Sequence, residues 1–326
     1  MNKTRLLIGV IIGVFFLGGC ISDDVTTSEG NWVRRSYFEG SNRSNAASFS
    51  IGDRAFVMGG YTGEDYLNDF WEYNSAGDYW IKKADFPGQA RSNAVAFTID
   101  GKGYVGTGYD GTNKLNDFWE YDPENDNWIE VASFGGTARY NAIGFSLVGK
   151  GYIGTGYDGS EQKDFWQYDP TSNSWSQIIS MGGAKRQSAM VFVIGDIAYI
   201  GTGINNGSYE YDFWSLDGNS MEWTRKNDLD YDDDYSLVRS EASAFSVGSF
   251  GYLVAGSLGS ILGSTWEYDP TDDLWEEKTP LEAVYRAGAS AFSVNGRAYV
   301  LLGRSSSLRF DDIYEFQPFV YYDEED

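Results

Sequence analysis

Apolar positions along the chain come in short bursts of four or five residues, separated by glycine, asparagine and aspartate, and the bursts themselves recur. Ala94-Val95-Ala96-Phe97 is nearly unbroken in its apolar character, as expected of an innermost strand covered on both faces. Gly103-Tyr104-Val105-Gly106-Thr107-Gly108 follows, a second strand whose glycines permit close backbone approach. Asp117-Phe118-Trp119-Glu120-Tyr121 reads as a third, and a fourth starts near Trp128, with an Asp122-Pro123 turn between them. The pattern predicts units of four short antiparallel strands, with large aromatics in the outer strands filling a widening wedge.

The register of these units is tight. Arg43, Arg91, Arg139, Arg186, Arg239 and Arg286 each open a segment of the form R-x-x-A-x-x-F. Thirteen residues on lies an aromatic (Phe56, Tyr104, Tyr152, Tyr199, Tyr252, Tyr299), and seventeen on a glycine (Gly60, Gly108, Gly156, Gly203, Gly256, Gly303). Third strands carry Trp71, Trp119, Trp166, Trp214 and Trp266, with Tyr314 in the last. Nine residues later come Trp80, Trp128, Trp175, Trp223 and Trp275. The last unit lacks that fourth-strand tryptophan, while Trp32 precedes Arg43 by the same eleven residues that separate Trp80 from Arg91. Trp32 is therefore read as the missing sixth copy: residues 31–38 supply the last unit's fourth strand and close a ring, removing a free sheet edge.

A glycine-containing second strand, an aromatic third and a tryptophan in the fourth, repeating about every 47 residues, resemble kelch repeats. The resemblance implies an all-β fold: a six-bladed kelch-type β-propeller over residues 31–320, with four antiparallel strands per blade, similar to the central domain of galactose oxidase. The double glycine of that family survives only at Gly59-Gly60; the other units keep the second glycine alone.

Composition adds a destination. Residues 1–19 have a basic start (Lys3, Arg5), an apolar run and small residues before Cys20, a secretory signal layout too short for a comfortable membrane span. Leu17-Gly18-Gly19-Cys20 resembles the lipobox of bacterial lipoproteins, which implies lipidation of Cys20 and a membrane partner through that lipid. Residues 20–30 read as a flexible tether. Its Cys-x-Ser-Asp-Asp start resembles the acidic export signal of surface-exposed outer-membrane lipoproteins. The chain carries 48 acids against 24 bases, a net charge of −24, which disfavours nucleic acid as a partner. Residues 321–326 read as an acidic tail, and the protein is expected to be a monomer.

The sequence holds no histidine, which removes His-based acid–base catalysis, Ser-His-Asp triads and the copper site that the galactose oxidase resemblance would imply. No cofactor or metal is expected. The sialidase Asp-box is absent. Asp228-x-Asp230-x-Asp232 opens like an EF-hand loop, yet its sixth position is Asp233 and its twelfth Arg239, so the acidic run 228–235 reads as a solvated loop, with a loose Ca²⁺ site as the alternative.

Strand alternation brings the blade-to-blade connections and the loops between second and third strands to one face. The six arginines start the innermost strands there and are expected to ring the mouth, unless they pair with Asp69, Asp117, Asp164, Asp212 and Asp312. Two residues past each Arg stand Asn45, Asn93, Asn141, Ser188, Glu241 and Gly288. Just past each repeated glycine stand Tyr61, Tyr109, Tyr157, Ile204, Ser257 and Arg304. Asn and Tyr from three successive blades suit a glycan or peptide. The function expected is thus a surface binding module for a glycan, peptide or protein partner. The alternative is a carboxylate- and Arg-based enzyme resembling the kelch-type sialic-acid mutarotases, in which two proton-transfer groups would suffice.

Overall fold

Each repeat becomes one blade. The computed structural model describes residues 29–231 and 237–323. In blade 2 the strands run outward from the axis as Val95–Ile99, Lys102–Gly106, Phe118–Asp122 and Asn127–Val131, each antiparallel to its neighbour. Six such four-stranded sheets make a propeller, and the described residues contain no helix. Blades 4 and 5 add two-residue hairpins, Ile204–Asn205 with Ser208–Tyr209 and Ser257–Leu258 with Ser260–Ile261. Inner strands are not covered on both faces as expected. Val95, Phe97 and Ile99 are buried between blades while Ala96 and Thr98 line a central channel, so burial alternates where hydropathy does not.

Closure follows the expected route. Asn31–Arg34 pairs with Ile313–Gln317, Trp32 opposite Phe316, giving blade 6 its outermost strand. Pairing continues past the strand's end through Arg35 N–H to Ile313 O (2.9 Å) and Phe38 N–H to Asp311 O (2.7 Å). The Trp32 ring lies 4.7 Å from that of Phe316, and its indole N–H donates to Thr279 O of the neighbouring blade (3.0 Å). Trp128, Trp175 and Trp223 make the same bond to Ala84, Ala132 and Ile179. Trp32 thus occupies the place the spacing assigns it.

The repeated glycine and the repeated arginine form the joint between blades. Each glycine N–H donates to the carbonyl of the next blade's arginine, from Gly60 to Arg91 O (2.8 Å) round to Gly303 and Arg43 O (2.9 Å), six bonds in a closed ring. Gly108 adopts φ +103°, and a Cβ there would meet Ser92 O at 2.8 Å, so only glycine fits. The preceding position is left-handed too, although only blade 1 has Gly59 there: Thr107, Thr155, Thr202, Ala255 and Leu302 all hold φ near +60°.

All six arginines are fully buried. Arg91 donates to Gln89 O and Thr107 O and to both oxygens of Asp117 (2.6 and 2.7 Å), and lies over the Phe86 ring at 4.8 Å. Asp69, Asp164 and Asp312 serve Arg43, Arg139 and Arg286 in the same way, while Asp212 serves Arg186 through one carboxylate oxygen and its backbone carbonyl. In blade 5 Ser264 stands at the aspartate position, and Arg239 donates to Leu237 O and Ala255 O. The third-strand tryptophan adds a bond to the aspartate, Trp119 Nε1 to Asp117 at 2.8 Å.

Burial pushes the Asp117 carboxyl up, but the Arg91 hydrogen bonds and charge, with Trp119, outweigh it and hold it below the usual carboxylate range; Asp69 and Asp164 behave alike. The stability these three contribute is therefore complete above pH about 4 and is lost as pH falls from there through the lowered folded values.

Two measurements check this construction. Trp32→Ala should destabilise the ring by about 3–5 kcal/mol, and deletion of 31–38 by more; an unchanged melting temperature would remove the closure strand from the account. Asp117→Asn should cost about 3 kcal/mol at pH 7, the low end for a broken buried pair because Asp117 is 26% exposed, with a deficit that shrinks only below pH about 4. A deficit independent of pH down to 3 would contradict the ionic role.

Candidate binding site

The mouth is built by a ring of residues that starts each inner strand. Asn45, Asn93, Asn141, Ser188, Glu241 and Gly288 border a cavity of about 190 Å³ on the axis, with Ala46, Ala94, Ala142, Ala189, Ala242 and Ala289 beneath them. All six bordering residues are left-handed, with φ from 52° to 59°. That turn lets five of the six N–H groups, all but that of Asn141, reach the carbonyl of the corresponding residue one blade back, as Asn93 N–H does to Asn45 O (2.9 Å) and Gly288 N–H to Glu241 O (3.0 Å). Asn and Gly accept such a backbone easily, whereas Glu241 and Ser188 do so at about 1–2 kcal/mol. Backbone geometry thus accounts for Asn at three blades but not for Glu241.

The arginines expected to ring this mouth do not. Arg43, Arg91, Arg139, Arg186, Arg239 and Arg286 point away from the axis into the blades, where burying a guanidinium demands the aspartates and carbonyls described above. Their charge is consumed inside the protein. The variable positions, by contrast, gather at the mouth.

Tyr61, Tyr109 and Tyr157 come together on the rim, and the structure adds two residues that the repeat comparison missed. Tyr66 lies between Tyr61 and Tyr109, with ring centroids 4.7 and 5.9 Å away, and Tyr140 lies between Tyr109 and Tyr157 at 5.3 and 5.6 Å. Five half-buried rings form a continuous arc across blades 1 to 3. The Tyr61 and Tyr109 hydroxyls donate to Gly63 O and Gly111 O of their own loops, which fixes the two rings, and Arg309 lies 5.4 Å from the Tyr61 centroid. Burial, then the neighbouring tyrosines, raise the Tyr66 and Tyr140 hydroxyls above the ordinary phenol value, so both remain neutral.

Across the mouth, Arg304 and Glu241 form one ion pair, with Arg304 Nη2 at 3.0 and 2.9 Å from the two carboxylate oxygens. Each side chain is a little over a quarter exposed. This rim is therefore lopsided, aromatic over three blades and ionic between blades 5 and 6. Asp228 is held by Arg225 at 2.8 Å, while residues 232–235 of the acidic loop and Cys20 lie outside the described residues.

Comparison with known proteins agrees with the fold. Among solved structures the chain is similar to that of YjhT, at 16% identity and a TM-score of 0.73, covering 85% of this chain and 96% of that one. At that identity the likeness shows the fold alone. No curated protein matches. Residues 24–189 match the family model of the KLHDC2/KLHL20/DRC7 Kelch-repeats domain. Joined to six blades in kelch register, that match makes this chain a member of the kelch-repeat family.

Proposed function

We propose that this kelch propeller is a binding module, lipidated at Cys20 and carried at the surface of a bacterial outer membrane, whose ligand is a glycan bound at the mouth. The carrying observation is the neutral, amide-rich ring of Asn45, Asn93, Asn141 and Ser188 beside the tyrosine arc, in a chain of net charge −24. Amides donate and accept at once, which suits hydroxyl and acetamido groups, and tyrosine faces suit the apolar faces of sugar rings. A cavity of about 190 Å³ is smaller than the roughly 300–1,000 Å³ usual for whole-ligand pockets. It suits one terminal group, with the rest of the chain lying along the arc.

One observation favours a second reading. Glu241, which Arg304 holds, borders a cavity of single-ring size, the arrangement that a carboxylate-based sugar mutarotase would need.

A glycan array probed with the folded protein should identify a ligand, and Asn93→Ala or Tyr109→Ala should each weaken it about tenfold, or 1.4 kcal/mol, without lowering the melting temperature. Arg91 is unsuitable for this test because it belongs to the core. Peptide binding with no glycan binding would overturn the ligand class. On the binding reading, NMR exchange spectroscopy should show no acceleration of sugar anomer interconversion; acceleration that Glu241→Gln abolishes would establish the enzymatic reading instead.

A further inference from the structure

The face opposite the mouth carries a feature that ligand binding does not use. Third strands run away from the mouth, so the turn after Ile313–Gln317 and the start of the closing strand at Asn31 both lie on this far face. Here Phe319, Val320 and Tyr321 are consecutive large apolar side chains, exposed by 59%, 44% and 62%. Single exposed apolar residues are ordinary, but three in a row on one turn are not. Phe319 rests one edge on Phe250, at 6.2 Å between centroids, which leaves most of the ring outward.

This turn adjoins the point where the N-terminal segment enters the propeller. Asp323 N–H donates to Asn31 Oδ1 at 2.9 Å, a Cβ on Gly30 would lie 3.5 Å from Pro318, and Thr279 N–H donates to Glu29 O at 2.9 Å. Ten residues separate Cys20 from Gly30. Fully extended they reach about 35 Å, and as a flexible coil about 17 Å on average. A lipid on Cys20 would therefore hold this face within a few nanometres of the bilayer. Tyrosine, with an apolar ring and a polar tip, favours the headgroup region, and Phe319 and Val320 beside Tyr321 add apolar surface to bury there.

We infer that Phe319-Val320-Tyr321 is a membrane foot: it sits among the headgroups of the bilayer that holds Cys20 and sets the propeller with its mouth pointing away from the membrane. The inference rests on the lipid-anchor reading above. Because Asp323-Glu324-Glu325-Asp326 follows after Tyr322, the foot suits zwitterionic lipid and is opposed by anionic lipid.

The test uses the full-length lipoprotein carrying Val320→Cys, purified with its lipid and reconstituted into phosphatidylcholine–phosphatidylethanolamine vesicles. Cys20 is the sole native cysteine and is blocked by its lipid, so a thiol-reactive fluorophore marks the foot alone; Leu308→Cys, on the mouth face, is the control. Quenching by shallow spin-labelled lipid should be at least about twofold greater at the foot than at the control, and should fall when anionic lipid is added. One label per chain with equal quenching at both sites overturns the foot and leaves the anchor standing. Two labels per chain show an unmodified Cys20 and overturn both. A label at the foot shielded from lipid quencher and aqueous iodide alike assigns the patch to a second protein chain, which also overturns the foot.

Discussion

One arginine per blade holds this ring together, because its main chain serves one blade and its side chain another. Arg91 donates its N–H to Leu67 O and accepts from Gly60 N–H, both in the preceding blade, while its guanidinium is fixed by Thr107 O and Asp117 of its own. A buried guanidinium without such partners would cost several kcal/mol, so the side chain tolerates only the geometry that satisfies it. That geometry sets where the inner strand begins. Two residues later the backbone turns left-handed, and the mouth residue is aimed at the axis.

The use of the arginines as internal joints determines the electrostatics of the mouth. The cationic ring that six arginines could have formed is withdrawn into the blades and neutralised in five of them by aspartate. What remains around the axial cavity, among the described residues, is amide, hydroxyl and phenol, with Arg309 against Tyr61 and the Glu241–Arg304 ion pair on the rim. A ligand of the kind proposed would be recognised there by hydrogen-bond direction and by fit to aromatic faces, with weak sensitivity to salt.

Much of this was readable before any coordinates. The intervals between tryptophans identified Trp32 as a displaced sixth copy, since a ring of identical wedges leaves only one place for it. The aspartates that pair with the arginines were also visible, because they recur at the start of five of the six third strands. Side-chain direction was not visible: a charged residue beginning an inner strand can aim at the axis or back into its blade, and only the burial of its partners decides. Tyr140 was missed because the position just after the arginine, elsewhere Ser, Gln or Ala, was not compared between blades. Tyr66 was missed for the same reason, because its counterparts Lys114, Tyr209 and Arg309, each twenty-three residues past the arginine, were not compared either. The Asn ring was found by its variability, yet part of its identity answers to a left-handed backbone that sequence comparison does not reveal.

The closing strand imposes an order of events on the growing chain. Trp32 is among the first propeller residues to be synthesised, and its partner Phe316 among the last. Throughout synthesis the early blades can pair internally, since each completes itself within a contiguous stretch, but the first and sixth blades meet only when nearly the whole polypeptide is available. This long-range contact makes the last step of assembly slow by the ordinary cost of closing a loop of nearly three hundred residues. Until then the apolar flanks of both terminal blades stand open, and any factor that guards the nascent chain must cover those two surfaces.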